Sequence, residues 1–218
     1  HKYADIKQST NSTGDGISSS VNAKNSFVTY NCENIANTWR TMSLKDSQEI
    51  SGLGYSEQCY EAVVSGVNNA GERFTMFMGT NNDVEYSAYC FGSAHLFGCV
   101  GLKKAEYCIF NKQYSKESYF KLREEIIKHM KEHPYADVNG HTYSYGEFFP
   151  PTMSSFNFSD SFAPDFYGVD NREAQEKHYN ISTNEHAIYQ ATVNTPENIS
   201  DLKIEVTSEI YPCKIWNN

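Results

Sequence analysis

The sequence predicts a mainly β protein with helical elements. A short-repeat parallel β-solenoid (a β-helix) is followed by a capping helix and an irregular aromatic- and proline-rich region. Three observations carry this expectation. Cys90, Cys99 and Cys108 recur nine residues apart, each followed by Phe, Val or Ile, with Ala88, Ala94 and Ala105 among the small residues nearby. A unit that short cannot enclose a core and must stack on its neighbours. From Ile17 onward, short apolar pulses alternate with Asn, Asp, Ser and Gly, and this texture stops at Tyr114. A β-sandwich-like α+β fold would also give short strands, but it gives no reason for small residues at fixed offsets.

Residues 1–16 are polar and rich in Ser, Thr and Asn, which predicts a loose N-terminal arm or an irregular first coil. Residues 17–113 form the expected repeat solenoid. Its pulses include Ser26-Phe27-Val28, Asn31-Cys32-Glu33-Asn34-Ile35 and Gln58-Cys59-Tyr60. Cys32 and Cys59 stand 27 residues apart, three times nine, which extends the same period into the earlier part. Val67 to Met78 interrupts it, with Arg73 to Met78 reading as one longer strand. Asn at corners tolerates left-handed backbone and can hydrogen-bond along a stack.

Residues 114–218 read as a capping helix with an irregular α+β extension. Ser115 is placed to cap the helix; Tyr119, Leu122, Ile126, Ile127 and Met130 follow helical spacing, and Pro134 ends it. Residues 135–169 read as extended segments that pack by burying rings. Asp170-Asn171-Arg172-Glu173 opens a short polar helix to about His178. A strand is expected at His186 to Val193, and a strand or helix at Lys203 to Tyr211.

Composition bounds the function classes. The 218 residues carry a net charge of −9, which argues against a broad nucleic-acid surface. No apolar run approaches the ~18 residues of a membrane span. The chain opens at His1 without a leader, so a signal peptide has been removed or the chain is a fragment. The six cysteines, three of them at repeat spacing, are expected as reduced core thiols.

The runs Phe97-Gly98-Cys99-Val100-Gly101-Leu102, Tyr107 to Glu117 and Tyr145-Gly146-Glu147-Phe148-Phe149-Pro150 are distinctive. With Ser154 to Phe158 they resemble a group of uncharacterised proteins common in candidate-phyla-radiation bacteria and some large phages. The likeness covers roughly residues 80 to 215. In that group the segment matching Ile210-Tyr211-Pro212-Cys213-Lys214 often begins a zinc-ribbon-like tail. Here Trp216 stands where a second Cys would sit. The resemblance implies no activity.

Several motifs have the residue types of a catalytic site. His129-Met130-Lys131-Glu132-His133 matches H-x-x-E-H, whose two histidines could grip zinc while the glutamate acts as general base. His133 precedes Pro134, however, which pushes it out of helical geometry. Asp46, Glu49, Glu57, Glu61, Asp83 and Glu85 decorate the repeats, and acids on adjacent coils can cleave polysaccharide, though no spacing selects a pair. Gly52-Leu53-Gly54 lacks the third glycine of a dinucleotide loop, and Gly54 to Gln58 lacks the last glycine of a nucleophile elbow. Cys99 could be a nucleophile, but its place in the repeat favours the core.

These residues therefore assign no catalytic, cofactor-binding or metal site. The expected function is a non-enzymatic structural or binding protein, part of a larger assembly of the virion or cell-surface kind. It would have protein partners or self-associate, and the aromatic block at Tyr143 to Tyr167 leaves glycan binding open. The competing expectation is a hydrolase, of polysaccharide through surface carboxylates or zinc-dependent through His129, Glu132 and His133. No signal bears on compartment.

Overall fold

The computed structural model describes residues 4–64, 66–154, 156–161 and 163–181. The chain divides into a unit spanning His1–Met153 and a unit spanning Ser154–Asn218. The first unit is a parallel β-solenoid of about nine turns, with a few helices following it in the chain.

The coil is built from triplets. In almost every triplet one residue has left-handed backbone, the next points inward and the third points out. Asn22, Asn25, Val28, Asn31, Asn34, Asn37 and Arg40 all have φ from 48° to 55°. The residues after them, Ala23, Ser26, Thr29, Cys32, Ile35, Thr38 and Thr41, are all buried. Each left-handed residue turns the chain, and the ladder repeats after twelve residues: Phe27 pairs with Trp39, Met42 with Gly54 and Ala94 with Glu106. Four triplets therefore make one four-cornered coil.

Left-handed geometry disfavours residues with a Cβ, and among non-glycine residues Asn visits it most readily. Asn ladders occupy two of the corners. Asn11 Nδ2 donates to Asn22, Asn22 to Asn34 and Asn34 to Asp46 at 2.7–2.8 Å. In the second ladder Asn25 donates to Asn37 and Asn37 to Glu49.

The inward side chains explain why small hydroxyls and thiols line the interior. Ser87 Oγ donates to the Glu85 carbonyl at 2.8 Å and accepts the Cys99 amide of the next coil at 2.9 Å. Ser20, Ser47, Ser56 and Ser93 make the same pair of bonds. A buried polar group satisfied in this way carries little desolvation cost. Between them, Ile17, Ile35, Leu44, Ile50, Val84 and Leu96 supply the apolar fill.

Five cysteines, Cys32, Cys59, Cys90, Cys99 and Cys108, are buried and unlinked, as the repeat predicted. Burial pushes their thiols up, Cys59 to about 12, so they are poor nucleophiles, Cys99 included. Their nine-residue spacing is not the coil period, which is twelve. Nine residues span three of the four triplets, so the thiols fall on different corners: Cys108 stacks on Leu96, and the Cys99 amide bonds Ser87. Cys99 Sγ donates to the Phe97 carbonyl and receives the Asn111 amide, the bonding of the inward serines, so serine would serve there as well. Cys213 lies outside the described residues.

Two further expectations change. Residues 5–16 form a first coil of the ladder, the second of the two forms expected there, rather than a loose arm: Ile6 pairs with Ile17 and Gly14 with Ser26. Gly14 has φ 133°, and a Cβ there would lie 1.8 Å from the Ser26 carbonyl oxygen. The stretch Val67 to Met78 does not interrupt the solenoid. Ala70–Met76 pairs with the strands before and after it, but Gly54 pairs with Val67 and Ala62 with Thr75, so one coil holds thirteen residues. The extra residue broke the numerical period and left the stacking intact.

The ladder closes with the antiparallel strand Lys112–Gln113. Helix α1 (Lys116–Glu132) follows, with Ser115 Oγ accepting the Ser118 amide as expected of the cap. Tyr119 is buried against Phe97 and Ile109, with Tyr107, Phe120 and Leu122 around them. Tyr145 and Phe149, from the aromatic block, reach the ring of Tyr86.

In the second unit, α2 (Ala163–Tyr167) precedes α3 (Asn171–Glu176). Asp170 caps α3 as predicted, accepting the Glu173 amide at 2.8 Å. Phe158 stacks on Tyr179 at 5.2 Å. The strand expected at His186 to Val193 and the element expected at Lys203 to Tyr211 lie outside the described residues.

Candidate functional site

Three surface features place chemical groups together. The first is an ion cluster beside α1. Asp83 and Glu85 flank the inward Val84, so both leave the coil next to each other. Glu85 is 1% exposed and accepts four hydrogen bonds from three side chains: Arg73 Nε at 2.6 Å, Arg123 Nε and Nη2 at 2.9 and 2.7 Å, and Tyr145 Oη at 2.9 Å. Arg73 Nη2 also bonds Asp83 at 2.7 Å, and His95 Nδ1 lies 2.9 Å from the other Asp83 oxygen. Burial opposes the charge on Arg73 and Arg123, and the carboxylates more than offset it, holding both above the ordinary arginine value. Burial, then Glu85, pushes the Tyr145 phenol up.

Two guanidiniums and a phenol close round the Glu85 carboxylate. Glu85 therefore serves as an anchor between the solenoid, Arg123 of α1 and Tyr145. His95 forms an Asp–His pair with Asp83 and stacks on Tyr107 at 4.8 Å.

The second feature is a shallow groove of about 420 Å³, lined by Asn34, Asp46, Gln48, Gln58, Tyr60 and Arg73 among others. Beside Tyr60, on the next corner, Glu49 and Glu61 occupy equivalent places on successive coils, since Gln48 pairs with Tyr60 and Ile50 with Ala62. Glu61 Oε2 is buried and makes no hydrogen bond. Burial, then the charges of Glu147 and Glu49, pushes the Glu61 carboxyl up, although a bond from Tyr60 pulls against them. Of the six carboxylates singled out by sequence, the fold thus pairs Glu49 with Glu61 and Asp83 with Glu85. Asp46 ends an Asn ladder, and Glu57 is exposed.

A pH dependence follows. Folding raises the Glu61 carboxyl, so the fold favours its protonated form. That contribution is complete below the ordinary carboxylate value of 4.5 and is lost as pH rises through the higher folded value. Glu61→Gln should therefore gain thermal stability over the wild type as pH rises from about 4 to about 7. A difference that stays constant across that range would mean folding leaves the group unperturbed.

The third feature is an apolar edge. One corner column runs Val28, Arg40, Gly52, Val64, Phe77, Tyr89. On one side of it stand Phe27, Trp39, Ser51, Val63, Met76 and Ala88; on the other, Tyr30, Met42, Gly54, Val67, Gly79 and Phe91. Arg40 is the single charged residue in these columns, and its guanidinium lies over Trp39 at 5.4 Å. From residue 27 to residue 100, the exposed large hydrophobic side chains of the described residues belong to this edge, with Tyr55 one step further round. Val28 is 58% exposed and Tyr30 54%. Sequence reading missed the edge because nine-residue spacing scatters these residues, whereas a twelve-residue period aligns them.

The H-x-x-E-H residues are placed differently from a zinc site. The exposed rings of His129 and His133 stack at 4.6 Å, and Glu132 lies 3.8 Å from Lys128. His133 leaves helical geometry, at φ −132° and ψ 68°, as Pro134 demands. Among the described residues no three His, Cys, Asp or Glu side chains are grouped to hold a metal ion. No helix among them is long and apolar enough to cross a membrane.

Comparison with known proteins adds no family. No family model, curated protein or solved structure matches the chain.

Proposed function

We propose that the chain is a non-enzymatic structural or binding protein that works inside a larger assembly, of the virion or cell-surface kind, and docks there through the apolar edge of its solenoid. The observation that supports this reading is the edge itself. Six successive coils present three adjacent columns with one charge, on a chain whose net charge is −9. Scattered surface hydrophobics need no explanation, but a contiguous apolar strip marks an interaction surface. The opposite corner of the described coils lacks this character: it carries Asn22, Asn34, Asp46, Gln58, Asp83 and His95.

The test is radical footprinting of the edge aromatics in material from the producing cells and in dilute purified protein. Trp39, Tyr30 and Tyr89 should be labelled freely in the dilute protein and protected in the native setting. Equal labelling in both would contradict the reading.

One observation favours a second reading, hydrolysis of a glycan. Glu61 is a carboxyl held in its acid form more readily than usual, one coil from the Glu49 carboxylate. Retaining glycosidases hold an acid and a nucleophilic carboxylate ~5–5.5 Å apart, close to the ~4.8 Å spacing of strands. Release of reducing ends from a panel of neutral and acidic glycans, abolished in Glu61→Gln, would favour this reading over docking.

A further inference from the structure

We propose that the occupant of the apolar edge is a second copy of this chain, laid antiparallel so that the first coil of one edge meets the last coil of the other. The inference rests on the docking reading and names its partner. Its basis is the alternation of large and small residues along the three columns. Let the corner residues Gly16, Val28, Arg40, Gly52, Val64, Phe77, Tyr89 and Gly101 mark levels one to eight. A two-fold axis between the fourth and fifth levels, perpendicular to the solenoid, sets each column against itself in reverse order.

At the corner, Gly52 then faces Val64 and Arg40 faces Phe77 of the other copy. In one flanking column Gly54 faces Val67 and Met42 faces Gly79. In the other, Ser51 faces Val63 and Phe27 faces Ala88. Of the nine pairs at the six inner levels, these include five in which a bulky side chain meets a glycine, a serine or an alanine. Arg40 with Phe77 sets a guanidinium against an aromatic face, a favourable pairing, and Val28 with Tyr89, Trp39 with Met76 and Tyr30 with Phe91 pack large on large. Parallel packing matches the same levels instead: Met76 then meets Gly79 and Ala88 meets Phe91, but Phe27 meets Tyr30, Trp39 meets Met42, and Arg40 meets the Arg40 of the other copy, like charge on like charge.

The size is adequate. Six coils at ~4.8 Å give a strip about 29 Å long. With side chains about 20 Å wide, it would bury on the order of 600 Å² per copy, and about 1,200 Å² in total reaches the lower end of specific interfaces. The strip lacks acidic residues between Phe27 and Phe91, so two copies of an acidic chain can approach there without placing like charges in contact.

The test uses the full chain with Cys213→Ser, because the other five thiols are buried. Phe27→Cys and Ala88→Cys lie five coils apart in one molecule, about 24 Å, too far for a disulfide within the chain. The double variant should form a covalent dimer on mild oxidation, and each single variant should not. Sedimentation velocity of the unmodified chain between about 1 and 100 μM should show a dimer, which Val64→Asp converts to monomer. Val64 has φ 48°, and Asp tolerates that geometry better than Val, so loss of the dimer would not reflect loss of the fold.

A monomer throughout the range would overturn the inference. So would cross-linking confined to a mixture of the single variants Phe27→Cys and Tyr30→Cys, the pair that parallel packing joins. If the chain is monomeric but its edge is protected in native material, the second copy is ruled out while the docking reading stands.

Discussion

Arg123→Ala is expected to cost about 3–5 kcal/mol of folding stability, the range found when one partner of a buried ion pair is removed. Glu85 is 1% exposed and takes two of its hydrogen bonds from this guanidinium. Without Arg123 it keeps Arg73 and Tyr145, but one side of a desolvated carboxylate is left to a cavity. Arg123 is also the link between α1 and the coil that carries Glu85, so the helix should loosen first. Urea unfolding would measure the loss, and hydrogen exchange across Lys116–Glu132 would locate it. A second variant separates charge from shape: Arg123→Leu with Glu85→Leu removes both partners, leaves Arg73 its bond to Asp83, and should recover much of the stability. A cost below about 1 kcal/mol for Arg123→Ala would mean that the pair is solvated like a surface one.

Asn81→Leu is expected to be comparably damaging, for a different reason. Asn81 points into the solenoid, where its Oδ1 accepts the Ser93 amide at 3.0 Å and its Nδ2 donates to the Cys90 carbonyl at 2.9 Å and to Glu72 at 3.3 Å. Leucine fills similar space but offers none of these bonds. Each buried polar group left without its partner costs about 1–3 kcal/mol, so a total of at least about 3 kcal/mol follows. Asn81→Ser retains an acceptor for the Ser93 amide, as Ser87 does for Cys99, and should fall between Leu and wild type in chemical denaturation. If Leu and Ser prove equally mild, the interior ladder does not depend on side-chain hydrogen bonding.

The same interior shows how far the sequence could be read. The stacking principle was legible from Cys90, Cys99 and Cys108, and so was the inward, reduced state of these thiols. Their spacing misled about the period because nine is a multiple of three, and three is the true structural unit. Asn22, Asn25, Asn31, Asn34 and Asn37 carry that unit openly, at the corners where left-handed geometry suits them. Elsewhere Phe, Tyr, Val and Arg occupy the same corner, as at Phe77, Tyr89, Val28 and Arg40, and local preference gives no hint of it. Ladder stacking overrides propensity there.

Helix ends were legible from Ser115, Pro134 and Asp170, since caps act within a few residues. The Glu85 cluster was not, because Arg123 and Tyr145 lie 38 and 60 residues away in the chain. Glu49 and Glu61 could be recognised as neighbours only after the twelve-residue coil was known. The apolar edge had the same requirement.

The coil of thirteen residues has a consequence for how such a chain changes length. One extra residue near Gly66 is taken up at a corner, and pairing resumes with Ala70 on Asn82 as if nothing had been added. Each coil touches little beyond the coils above and below it. Tandem duplication or loss of one coil's worth of coding sequence would therefore preserve every other contact and alter only the extent of the molecule, in graduations of ~4.8 Å. A lineage of these chains would diverge as a set of rulers does, sharing one cross-section and differing in how many marks each carries.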